Sequence, residues 1–208
     1  MKRLLMSLLV LGASVADLVS GSLADFQDTE TSLDNTFTAG TLDFRYRICI
    51  DVVGDATCGP WQDGTRASFT LPELRLGAAG LVIYQIQNLG DLEGFFDLRN
   101  VTVRNLENGC LAGERAVDTT CGDPGPGEGE LGAHLGVTVV APWSGTIYTG
   151  PLDGFPGDYD INERLAPAGS PLDTLDLMFD WYLPASAGTV VEGDSASLDM
   201  EFVLSQDP

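Results

Sequence analysis

Apolar residues recur at every second position along most of this chain. Leu42, Phe44, Tyr46, Ile48 and Ile50 alternate with Asp43, Arg45, Arg47 and Asp51, the period of a strand with one face on a core and the other in water. Phe69 and Leu71, then Leu74 and Leu76, resume the pattern around Pro72. Proline has no N–H for a ladder, so this stretch predicts an edge strand or a bulge. Leu81 to Gln87 reads as a compact strand, with Val82, Tyr84 and Ile86 on one face and Leu81, Ile83 and Gln85 on the other. Phe96, Leu98, Val101 and Val103 predict the next strand, followed by Val137 to Ala141 and Thr146 to Thr149. Leu175, Leu177, Phe179, Trp181 and Leu183 alternate with Asp176, Asp180 and Tyr182, and Ala196 to Leu204 closes the series against Ser195, Ser197, Asp199 and Glu201.

About eight to ten short strands separated by Gly and Pro turns predict an all-β fold, an antiparallel two-sheet sandwich of jelly-roll type. Helical periodicity is confined to Ile161 to Ala166, which reads as a turn of helix. Gly122 to Glu130 (GDPGPGEGE) is a polar loop with no means of packing a core, and it is expected to be exposed. No internal repeat or linker divides the chain.

Ahead of the first strand the pattern changes. Lys2 and Arg3 precede an apolar run from Leu4 to Ala16, and Ser22-Leu23-Ala24 offers small residues at a cleavage site. That is the layout of a secretory signal peptide, and the run is too short to span a bilayer as a helix. The expected organisation is a signal peptide over 1–24, an N-terminal segment over 25–38 and a sandwich over 39–208, with the mature protein secreted, extracellular or at the cell surface. An uncleaved anchor is the alternative. No later apolar run is long enough to cross a membrane.

Cleavage at Ala24 removes Lys2, Arg3 and Asp17, leaving 8 basic against 30 acidic residues, a formal charge of −22. A surface of that sign repels nucleic acid and anionic lipid, whose recognition needs Lys and Arg, and it attracts cations. It also stays hydrated at high ionic strength, where self-repulsion is screened. Four cysteines in an exported chain suggest two disulfides. Pairing Cys49 with Cys58 and Cys110 with Cys121 is the simplest of three connectivities.

Candidate chemistry is sparse. His134 is the single histidine and reads as a solvated residue at a strand entrance, so neither nucleophile-plus-base catalysis nor a zinc site is indicated. Asp153, Asp158, Asp160 and Glu163 lie in one Gly/Pro-rich stretch and could gather around a hard cation such as calcium, although an acidic loop in water is the plainer reading. Trp61, Trp143 and Trp181 read as core or sheet-edge packing. No cofactor and no enzyme activity are expected.

The segment behind the leader is distinctive. Asp25-Phe26-Gln27-Asp28-Thr29-Glu30-Thr31-Ser32 is polar, Thr-rich and β-prone, better suited to an extended strand than to a core. With Asn35-Thr36-Phe37-Thr38-Ala39-Gly40-Thr41-Leu42-Asp43 it resembles the start of the TasA/camelysin family of exported biofilm-matrix fibre proteins, the archaeal bundling-pilus members especially. Asn108-Gly109-Cys110, Gly127-Glu128-Gly129-Glu130-Leu131 and Gly193-Asp194-Ser195-Ala196-Ser197-Leu198-Asp199-Met200-Glu201-Phe202 continue the resemblance. It implies a jelly-roll subunit whose N-terminal segment, from Asp25 to Phe37, acts as a donor strand completing a neighbour's sheet. The implied partners are other copies of the chain in a homopolymer, with divalent cations bridging filaments. The protease activity described for some relatives does not carry over, because the ligand set is missing. The alternative is a monomeric exported binding module with acidic, calcium-binding loops.

Overall fold

The computed structural model describes residues 27–28, 41–51, 56–71, 74–121, 125–155 and 157–207. The leader, and Asp25, Phe26, Thr29, Glu30, Thr31, Ser32 and Phe37 of the N-terminal segment, lie outside the described residues.

The alternating stretches form the strands they predict. They are β1 (Gln27–Asp28), β2 (Phe44–Asp51), β3 (Ala56–Cys58), β4 (Gln62–Asp63), β5 (Arg66–Leu71), β6 (Ala79–Asn88) and β7 (Gly94–Glu107), then β8 (Gly125–Pro126), β9 (Gly136–Ala141), β10 (Gly145–Pro151), β11 (Tyr159–Leu165), β12 (Thr174–Tyr182) and β13 (Ser195–Ser205). Every pairing among them is antiparallel. One sheet runs β1-β13-β7-β11, with β5 also on β13 and β8 on β7; the other runs β10-β9-β12-β6-β2-β3, with β4 also on β2. The two pack face to face as a sandwich.

Burial follows the pleat. Val82, Tyr84 and Ile86 of β6, and Leu175, Leu177 and Phe179 of β12, point inward from one sheet; Leu198, Met200, Phe202 and Leu204 of β13 meet them from the other. Phe202 sits at the centre, its ring 5.2 Å from Tyr46, 5.6 Å from Tyr84 and 5.4 Å from Phe96, within the range in which aromatic pairs attract beyond their area. Gly94 makes room for this strand: a Cβ there would stand 2.5 Å from Leu204 Cγ.

Several expectations change on contact with the fold. Ile161 to Leu165 is strand β11, not a helical turn, because buried Ile161, Glu163 and Leu165 alternate with exposed Asp160, Asn162 and Arg164 and the segment pairs with β7. The pattern around Pro72 does not resume: β5 stops at Leu71, and Leu76 is exposed outside any strand. Ile50 has the inward parity of β2 yet is 48% exposed, since the core cluster reaches no further along that strand than Ile48. Trp143 is likewise exposed, in the turn between β9 and β10. Trp61, by contrast, lies under two guanidinium groups, those of Arg45 and Arg47, each 4.6 Å from its ring centroid. Trp181 packs against Gly80 and the core edge.

Both local disulfides are formed, Cys49–Cys58 and Cys110–Cys121. The first joins residues directly opposite each other on β2 and β3.

Candidate functional site

Two places in the sandwich stand out, one at each end of β13. The first is a strand edge. β7 pairs with β13 from Ser195 to Ser205, whereas β5 covers only Ala196 to Glu201 on the other side. The Phe202 N–H still reaches the Thr65 carbonyl at 2.6 Å. Amides in a strand alternate sides, so the next one facing that edge belongs to Leu204, beyond the reach of β5. Here Gln27 and Asp28 lie antiparallel to Ser205 and Leu204. This is the one part of the expected donor segment that the structure describes.

The second place is a cluster of carboxylates at the opposite end. Glu107 closes β7, Glu114 begins a short 3-10 turn (Glu114–Ala116), and Asp118 follows it inside the loop closed by Cys110–Cys121. Glu130 ends the Gly-rich loop at the start of the helical turn α1 (Leu131–His134), and Asp194 leads into β13. Gly193 has φ +95° and a Cβ there would stand 3.0 Å from the Gly109 carbonyl, so only glycine lets the two loops close up beside Asp194.

Each of these five side chains gives one oxygen to the protein. Glu107 accepts from the Gly109 N–H at 2.6 Å and Glu114 from the Leu111 N–H at 3.0 Å. Asp118 accepts from Thr120 N–H and O–H at 2.8 and 2.7 Å. Glu130 shares that same Thr120 proton more weakly, at 3.3 Å, and Asp194 accepts from the Glu130 and Leu131 N–H groups at 2.6 and 3.1 Å. The other oxygen of every one, Glu107 Oε2, Glu114 Oε1, Asp118 Oδ2, Glu130 Oε2 and Asp194 Oδ1, is buried without a partner. Glu107, Glu114 and Asp118 bring ligand atoms within 4.8 Å of one another, as do Glu107, Glu130 and Asp194. Glu107 belongs to both groups.

Electrostatics there is one-sided. Among the described residues the ion pairs engage Arg99, Arg104 and Arg164, and none involves these five acids. Burial first, and then the charges of Glu107 and Glu130, push the Asp194 carboxyl up to about 7 against the pull of the Glu130 N–H. Burial likewise raises Glu114 and Glu130, with neighbouring carboxylates adding to the shift. Asp118 moves the other way, held low by its bonds from Thr120.

The acids singled out in the sequence are dispersed by comparison. Asp153 takes a hydrogen bond from Asn105 at 2.8 Å, Asp158 one from the Asn100 N–H at 2.9 Å, and Asp160 pairs with Arg99 at 2.6 Å. Glu163 is buried in β11 and accepts the Trp143 and Ser144 N–H groups at 3.0 and 2.6 Å. Asp160 and Glu163 are strand residues, so the four do not share one loop, and no group of neighbouring ligand atoms among the described residues contains them. The five clustered acids escaped the sequence reading because nothing in their spacing separates them from the other acids. One trace was present: the words around Asn108, Glu130 and Asp194, noted for the resemblance, meet here, with Asn108 donating to the Gly193 carbonyl at 2.8 Å. His134 is exposed at the end of α1 and joins neither place.

No protein-family model, curated protein or solved structure matches the chain.

Proposed function

We propose that this protein is a structural subunit of an extracellular fibre or pilus, a jelly-roll sandwich that polymerises head to tail when the N-terminal segment of one copy completes the sheet of the next. The observation that carries the reading is the edge of β13, which β5 leaves open past Phe202 and against which Gln27–Asp28 of the same chain lies; exchange would transfer that pairing to a neighbouring copy. Once that segment is withdrawn, the edge past β5 presents unpaired N–H and C=O groups, a template for another strand. A strand added there gains main-chain hydrogen bonds, while its alternate side chains reach the face that holds Phe202 and Leu204. Strand exchange between copies is heterologous, so it builds an open filament instead of a closed ring. Phe26 and Phe37 are the anchors of the donor segment; burying each is worth about 1.5–3 kcal/mol, so the contact depends on the whole segment.

Support comes also from the two disulfides, which suit an oxidising compartment outside the cell, and from the resemblance at the N-terminus. The test is deletion of residues 25–37. The truncated protein should remain a soluble β-rich monomer that no longer forms filaments, and a synthetic peptide of the deleted segment should bind it. Filaments that persist after the deletion, seen by negative-stain microscopy, would refute the mechanism. A full-length protein that stays monomeric at every concentration in sedimentation would instead favour the exported binding module.

A further inference from the structure

We propose that Glu107, Glu114, Asp118, Glu130 and Asp194 bind hard divalent cations of the calcium class in two adjoining groups that share Glu107, clamping the disulfide loop and the Gly-rich loop to the end of the sandwich. Acidic clusters are common on a chain this charged, and proximity alone would mean little. The argument rests on the orphaned oxygens. Glu107 is 1% exposed and Glu114 and Asp194 are 0% exposed, yet each turns one unpartnered carboxylate oxygen inward. Leaving a buried carboxylate oxygen without a partner is costly, and here five such oxygens lie in one cluster.

The division of labour within each side chain identifies what is missing. The outer oxygens are held by Gly109, Leu111, Thr120, Glu130 and Leu131, which orients the inner ones as second-shell donors orient metal ligands. No Arg, Lys, amide or hydroxyl donor reaches these atoms among the described residues, and a proton shared between Asp194 and Glu107 would satisfy that pair alone, leaving Glu114, Asp118 and Glu130 unanswered. A cation in each group of three, with Glu107 shared between them, satisfies them. Its class follows from the donors: oxygen only, with no imidazole and with both nearby sulfurs locked in Cys110–Cys121, which disfavours zinc and copper. Carboxylates drawn from four separate segments, three to a group, suit the large, adaptable shell of calcium better than the tight octahedron of magnesium, which keeps several of its waters. Glu107, common to both groups of three, is the central ligand.

The site does not rest on the fibre reading. Asp194 and Leu204 lie at opposite ends of β13, about 30 Å apart at the rise of a strand, so failure of one leaves the other standing. Its test uses the intact purified protein stripped of metal with EDTA. Calorimetric titration with calcium chloride should show binding with Kd at or below about 1 mM, the range of extracellular calcium modules, and magnesium chloride should bind at least tenfold more weakly. Saturating calcium should raise Tm by about 5 °C. E107Q should weaken calcium binding at least tenfold, and in EDTA it should melt no lower than wild type, because one repelling charge is gone. E130Q, at a partly exposed position, should weaken binding too and serves if E107Q does not fold. D158N, at one of the dispersed acids, should change nothing. Absence of calcium binding up to about 10 mM, or binding that E107Q and E130Q leave intact, would overturn the proposal. An E107Q protein that melts lower than wild type in EDTA would also overturn it, since the acid would then be stabilising without a cation.

Discussion

Phe202 shows how much a single side chain decides. It is wholly buried and touches the rings of Tyr46, Tyr84 and Phe96, which come from both sheets, so it ties the halves of the sandwich together. Phe202→Ala should therefore cost about 3–5 kcal/mol, the usual range for emptying an aromatic site in a core, read as a lower midpoint in urea with the slope unchanged. A loss under about 1 kcal/mol would mean that the surrounding rings collapse into the space. Tyr84, against the same ring, has its hydroxyl buried without a partner, and burial drives its ionisation well above the ordinary tyrosine value. On the outer face of β2 the same scale shows a different device: Arg45 and Arg47 donate to Gln87 and Gln85 and lie over Trp61, a cation–π contact that spends two of the few positive charges on packing.

Among the elements, β7 and β13 form the most extensive pair, and their register shifts between Asp199 and Glu201. Asn100, at φ 52°, makes the bulge. Its trace is visible in the chain, because inward residues fall at Phe96 and Leu98 and then, one place late, at Val101. The Cys110–Cys121 loop has less regular structure and depends on cross-links. Closing a loop of about ten residues is worth about 2–3 kcal/mol through the unfolded chain. Replacing both cysteines with serine should lower stability by that amount in chemical denaturation and should weaken calcium binding, since Glu114 and Asp118 ride on the loop. Unchanged stability in the double variant would mean that the loop holds its shape without the bridge.

At the scale of the whole molecule, charge governs association. In the proposed assembly, subunits cleaved after Ala24 and so carrying −22 bring like charges together as they dock in line, and the screening length falls from about 30 Å at 0.01 M salt to about 3 Å at 1 M. On the proposed assembly, sodium chloride should promote filament formation over that range, while the apolar anchoring by Phe26 and Phe37 persists. Light scattering through a salt titration measures it. Filaments that dissociate as salt rises would mean that ion pairs hold the contact.

Period-two alternation was enough to place most strands, their inward faces and the two-sheet class, because each strand's pattern is written in its own neighbours along the chain. Cysteine spacing pointed to the local disulfides for the same reason: partners nine and eleven residues apart are close before anything folds. Glu163 shows where local reading stops. In the chain it resembles any loop acid; in the fold it is an inward position of β11, kept charged-side-in by two amides of the β9–β10 turn. The carboxylate cluster is the larger case. Its members are spread from Glu107 to Asp194, and only the docking of two loops against the ends of β7 and β13 brings them into two groups that share Glu107. The stretch of β13 that β5 leaves to Gln27–Asp28 is likewise a matter of where β5 ends in space. Alternation and spacing are properties of a segment, whereas convergence and exposure belong to the packed sheets, and tertiary structure alone decided them.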